Sequence, residues 1–176
     1  MMNPGSKYSV GTRWGLFTGL IYMLLLFLRY HFSALNPLFI GVIAAISYLF
    51  ILILFLFTGI ARRKELGGYG ELREIFRSIF IAILITELCY VMFNLIYFKW
   101  VDPTFWTKFS AASLPYMQKA GLSQIEMDEK MKSFKDLGQQ TNPAGLFKGY
   151  GTSVVVDSIF GLIFAALLRK KRLPIS

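Results

Sequence analysis

The sequence predicts an all-α, polytopic membrane protein: four transmembrane helices, with an amphipathic helical extracytoplasmic excursion between the third and the fourth. Three observations carry that expectation. The 176 residues are 55% hydrophobic and 16% aromatic with only 16% charged, and mean hydropathy is positive, too apolar a balance for a soluble domain of this size. Four apolar runs, at about 14–32, 37–60, 78–98 and 144–168, are long enough to cross or nearly cross hydrocarbon. Basic residues gather at the ends of those runs, so lipid headgroups and insertion polarity explain a net charge of +9 better than nucleic acid does. The chain reads as a single membrane domain, 1–176, whose first partner is the lipid bilayer, and no nucleic acid is expected.

The first run gives 15 uninterrupted apolar residues, 14–28, between Arg13 and Arg29, which is short for a crossing. Arg29 snorkelling outward, with Tyr30, His31 and Phe32 continuing into the interface, completes it. A basic start before a short apolar core is also how a signal peptide begins. The small-residue site near Ser33 and Ala34 is weak, so the span is expected to be retained.

The second run, 37–60, has 24 residues without a charge, opens on a proline suited to a helix start and ends at Gly59 before Arg62, Arg63 and Lys64. In the connection ARRKELGGYGELREIFR, Gly67, Gly68 and Gly70 break the chain before Leu72, Ile75 and Phe76 take up helical spacing. That piece is expected to lie along the headgroups before turning in. The third run, 78–98, is 21 residues and so about 30 Å long, and Asp102 and Pro103 stop it.

Segment 103–138 reads as two amphipathic helices outside the cytoplasm. Phe105, Trp106, Phe109, Leu114 and Met117 form an aromatic-rich stripe, with Arg29, Phe105, Trp106 and Phe109 as interface anchors. Ser123 and Glu126 make a capping box for the second helix, in which Met127, Met131, Phe134 and Leu137 share a face until Gly138 closes it. Asn142 and Pro143 then lead into the last run, which ends on Arg169, Lys170, Lys171 and Arg172.

Of the 19 Lys and Arg, 11 fall at the amino end, in the middle connection and in the tail, and these include seven of the eight arginines. A long excursion weighs less in the positive-inside rule. Both termini are therefore expected in the cytoplasm, the protein in a bacterial inner membrane and the excursion in the periplasm.

Two carboxylates interrupt the apolar runs near their centres. At ~1.5 Å per residue Glu87 lies about 14 Å from Ser78, and Asp157 about 16 Å from Leu168, so the two match in depth. An ionised carboxylate there is costly unless it is protonated, paired, hydrated or turned toward protein. Read as function, the acids form a proton- or cation-responsive pair, with Tyr90 and Asn94 on the same helix face as further polar candidates. Read as structure, they are neutral, hydrogen-bonded residues that hold helices together. Both readings stand at this point.

Small residues surround the second acid. Gly145, Gly149, Ser153, Asp157, Gly161 and Ala165 recur at steps of four and form one stripe, while Gly11, Gly15 and Gly19 make a shorter seam on the first span. Such stripes predict close helix contact, within the chain, with a membrane-protein partner, or in a homo-oligomer.

No catalytic set assembles. His31, the only histidine, sits at a helix end and reads as interfacial, and Cys89, the only cysteine, reads as a packing residue that permits no intrachain disulfide. The GGYG segment lacks the ending and the preceding strand of a phosphate loop. Glu87 and Asp157 offer too few donors for a metal site, although Asn94 and Tyr90 could contribute to a weak cation site. No metal, no cofactor and no enzymatic activity are expected.

The four spans, the Gly-rich connection, YVMFNLIYFKWVDP, the GLSQIEMDEKM turn and cap, and the Gly-rich last span ending in RKKR resemble a Bacteroidetes family of small inner-membrane proteins known as a domain of unknown function. The resemblance covers nearly the whole chain. It implies a four-helix architecture and an envelope location, and it supplies no activity. The first expectation is thus a non-enzymatic inner-membrane subunit or accessory scaffold of the cell envelope, packing through its small-residue faces. The alternative is a small proton- or cation-coupled transporter using the buried carboxylates, and a second alternative is a helper of a lipid-linked envelope enzyme.

Overall fold

A computed structural model describes residues 9–170. Among the described residues there are six helices and no strand: α1 (Ser9–Leu35), α2 (Phe39–Glu65), α3 (Leu72–Ile96), α4 (Phe105–Lys119), α5 (Gln124–Gln140) and α6 (Pro143–Leu168). Four of them, α1, α2, α3 and α6, are long and apolar enough to cross a membrane. Lys7, Lys171 and Arg172, which enter the count of basic residues, lie outside the described residues.

The bundle is built around α3, which packs against α1, α2 and α6. Its Ile75, Ile79, Ala82, Ile83 and Val91 are fully buried, whereas Leu20 and Leu24 of α1, Ile46 and Leu49 of α2, and Val155 and Leu167 of α6 are exposed. Between helices already in lipid, burial of apolar area supplies little drive. Close packing of small residues and cross-helix polar contacts must do the work. The Gly11, Gly15 and Gly19 seam of α1 meets α3: a Cβ at Gly11 would stand 2.6 Å from the Ser78 carbonyl oxygen, and one at Gly15 would stand 2.9 Å from the Ala82 Cα. The backbones touch there. The Thr86 hydroxyl uses that proximity to donate to the Gly15 carbonyl at 3.3 Å. Cys89 lies against Gly19, where a Cβ would stand 2.6 Å from its sulfur, so it is a packing neighbour of the seam.

Three elements differ from their sequence expectations. The helix of the first span starts before Arg13, which is exposed, so α1 has 27 residues and the 15-residue count between two arginines understates it. The piece before the third span does not form a separate segment from Leu72 onward. It is the first turn of a continuous α3, opened by the Glu74 side chain accepting from the Glu71 N–H at 3.2 Å and held in the core by Ile75. At its far end the span continues to Val101 through a π-helical turn, Tyr97–Val101, closed by the Asp102 N–H donating to the Tyr97 carbonyl at 2.9 Å.

Chain reversals follow local chemistry. Gly67 (φ 78°) and Gly68 (φ 88°) end α2, their N–H groups donating to Lys64 and Arg63 carbonyls, a Schellman closure that needs left-handed backbone. The Ser123 capping box begins α5 as the spacing predicts, and the Asn142 side chain accepts from the Gly145 N–H at 2.8 Å to begin α6. Hydrogen bonds from the Ser123 N–H and hydroxyl hold the Glu126 carboxyl below the usual range. Gly138 does not close α5, which runs on to Gln140. It is small because the Trp106 ring lies against it, 3.3 Å from where a Cβ would sit. At the opposite end of the bundle Gly70 and Lys170 exchange two 3.0 Å backbone hydrogen bonds, tying the α2–α3 connection to the end of α6.

Candidate functional site

Glu87 on α3 and Asp157 on α6 are 4% and 2% exposed. Counted from Val101 and from Pro143, each lies fourteen residues into its span, about 21 Å, so equal depth and the α3–α6 contact bring them level. Their carboxyl groups lie close enough to interact with each other, and Ser153, one turn from Asp157, interacts with Glu87 as well. The Tyr48 hydroxyl of α2 donates to Asp157 Oδ1 at 2.9 Å. Gly161, one turn further along α6, permits the approach, since a Cβ there would stand 3.1 Å from Ile79 and 3.2 Å from Ile83. Two carboxylates in contact repel, and one proton held between them turns the contact into a hydrogen bond. The Tyr48 and Ser153 hydroxyls supply the surrounding donors.

Above this pair, toward α4 and α5, lies a cavity of about 360 Å³. Ser153, Gly149 and Gly145 of α6 line one side, Tyr90 and Asn94 of α3 another, and Arg29 and Tyr30 of α1 a third. Phe109, Trp106, Phe134 and Leu137 of α4 and α5 also line it. Tyr90 stacks on Tyr22 at 5.4 Å between centroids. Asn94, 1% exposed, accepts from the Tyr30 hydroxyl and donates from its amide to the Tyr90 carbonyl at 2.7 Å. The polar face of α3 thus leads from Glu87 along one wall of the cavity. A larger, more open groove of about 1000 Å³ adjoins it, lined by Lys99, Lys132 and Lys135 and sharing Phe98, Trp106 and Thr141 with the cavity.

The structure divides the small-residue stripe of α6. Asp157, Gly161 and Ala165 are buried in the bundle, while Gly145, Gly149 and Ser153 line the cavity, with Gly149 exposed and open space where a Cβ would sit. The expected interface anchors need correction. Phe105 and Phe109 are 1% and 3% exposed and form a buried aromatic cluster with Leu26, Tyr30 and Tyr97. Trp106 is half-buried beside them. Tyr30, expected at the interface, is enclosed by Phe93, Tyr97, Phe98 and Phe105 at 4.7–6.4 Å between centroids. Arg29 is half-buried and lines the cavity, its guanidinium 5.9 Å from the Tyr30 ring centroid. Long aromatic and basic side chains at a helix end suit a membrane interface and a folded-back arm equally, and spacing alone does not separate the two.

Tyr48 was missed. It is the only tyrosine in α2, set among aliphatic residues near the depth of the two acids, and that isolation was its signal. His31 stays exposed, stacked on Phe27 at 6.2 Å. Among the described residues no three His, Cys, Asp or Glu side chains converge as a metal site would require.

No curated protein and no solved structure matches the chain. A family model described as "Protein of unknown function (DUF4199)" matches residues 13–170, nearly the whole sequence, and the chain belongs to that family.

Proposed function

We propose that the protein is a non-enzymatic carrier of the bacterial inner membrane in which Glu87 and Asp157 together load and release a proton next to the cavity. The observation that carries this reading is the double position of Ser153, which lines the cavity and also contacts Glu87. A pair sealed in dry helix contact would only hold helices together. A pair with a polar neighbour in a cavity has a path for water, and with it for protons. Removing the shared proton leaves two negative charges in contact with only hydroxyl donors around them, so release must be matched by water arriving from the cavity.

Part of what pointed first to an accessory subunit is engaged inside the chain. The α6 stripe faces α3 and the cavity, and the aromatic cluster buries Phe105 and Phe109. One observation still favours docking: α5 has no buried residue, and Ile125 is 73% exposed, so this helix could rest on lipid or a neighbour. Orientation follows the arginines. Arg62, Arg63, Arg73 and Arg77 lie in the segments opposite the α4–α5 arm, which supports cytoplasmic termini and a periplasmic arm.

Reconstitution into liposomes with an imposed pH gradient tests the proposal, with an enclosed pH-sensitive dye as the readout. The wild-type protein should dissipate the gradient faster than protein-free liposomes. Glu87→Gln and Asp157→Asn should each return the rate to that background while keeping the same helicity and elution volume. Wild-type flux no faster than protein-free liposomes, or full flux in both variants, contradicts it.

A further inference from the structure

Going beyond proton movement and resting on different residues, we infer that the cavity is a binding site for a compact organic anion: one carboxylate or phosphate head on an apolar or aromatic body. Arg29 lines the cavity, and its guanidinium Nε is buried with no hydrogen-bond partner. Trp106, which lines both the cavity and the adjoining groove, likewise holds a buried indole N–H with no partner. Two other polar groups of the lining are already engaged, the Tyr30 hydroxyl with Asn94 and the Asn94 amide with the Tyr90 carbonyl.

Buried donors without acceptors are costly, and an arginine fork matches the planar oxygens of a carboxylate or the oxygens of a phosphate. Among the described residues that line the cavity or the groove, none is acidic. Nothing of opposite charge in those walls competes for Arg29. Lys99, Lys132 and Lys135 in the groove raise the local positive potential and favour the approach of an anion. The remaining walls suit an apolar body, with Phe98, Phe109, Phe134 and Ile40 around it. A volume of about 360 Å³ lies in the range of small-molecule sites, about 300–1,000 Å³.

Calorimetric titration of the full chain in a neutral detergent, with no gradient across any membrane, reads this site apart from proton flux. The probes are 3-phenylpropionate, the neutral 3-phenylpropanol, and nanodiscs of phosphatidylcholine with or without phosphatidylglycerol. The acid should bind saturably, the alcohol at least tenfold more weakly. Arg29→Gln should weaken the acid at least tenfold, with Arg29→Lys restoring part of the loss. Displacement of the acid by phosphatidylglycerol but not by phosphatidylcholine supports the anion site and assigns its head to a lipid. Displacement by neither supports it and assigns the head to a free acid. Should Arg29→Gln fail to fold, Gly149→Leu serves instead, because Gly149 lines the cavity and a Cβ there has no heavy atom within 4 Å. That variant should also lose binding. No saturable binding of the acid, equal binding of the alcohol, or unchanged affinity in a folded Arg29→Gln or Gly149→Leu protein overturns the inference.

Discussion

Tyr48 stabilises Asp157 through a single hydroxyl hydrogen bond, and Tyr48→Phe removes it while leaving the ring that packs edge-on against Phe160 at 6.4 Å. Polar contacts between helices in lipid are worth on average ~0.6 kcal/mol and reach ~1.7 kcal/mol. Tyr48→Phe should therefore lower stability by about 0.5–1.5 kcal/mol in reversible unfolding from mixed micelles, and an unchanged midpoint would place Asp157 on other donors. Asp102 makes a prediction in water. Burial raises its pKa, but hydrogen bonds from Lys108 and Thr104 outweigh that and hold the carboxyl below the usual range. A folded value below the unfolded one means that Asp102 contributes stability above pH ~4 and loses it as the pH falls through the lower value. Hydrogen exchange should show the start of α4 loosening in acid, by about 0.5–1 kcal/mol, and Asp102→Asn should show that loosening already at neutral pH. At this scale the two acids and Ser153 were legible from depth and four-residue spacing. Arg29 was not, because a helix-end arginine has the same sequence pattern whether it snorkels to lipid or turns into a cavity.

Among the elements, the α1–α3 contact is the one most sensitive to added volume. A Cβ at Gly15 would press on the Ala82 Cα, a backbone atom that cannot step aside cheaply, whereas one at Gly149 meets nothing within 4 Å. Gly15→Ala and Gly15→Val should lower the unfolding free energy by about 1–3 kcal/mol, the cost of overpacking. Gly149→Ala should stay within about 0.5 kcal/mol of wild type. Equal effects at the two positions would show that the seam is looser than described. The four spans were legible because each is an apolar run near bilayer length. The beginning of α3 was not, since Leu72, Ile75 and Phe76 at helical spacing fit a headgroup-lying segment as well as a buried first turn. Only Ile75 against the α2 core decides between them.

At the scale of the whole molecule, α3 serves α1, α2 and α6 at once, and the cavity opens where the α4–α5 arm folds over the ends of α1, α3 and α6. That arm was legible as two amphipathic helices with the right cap at Ser123, but its direction was not. The same stripe of Phe105 and Phe109 satisfies an interface or a protein core, and tertiary contact with Tyr30 and Tyr97 selects the core. The proposed carrier requires that Glu87 and Asp157 act as one unit between α3 and α6. A double-mutant cycle of Glu87→Gln and Asp157→Asn, read as unfolding free energy in mixed micelles, measures that directly. The coupling between the two should be at least ~0.5 kcal/mol, so that the double variant loses markedly less than the two single losses together. Additive losses would mean that the carboxyl groups do not meet, and the paired site would not exist.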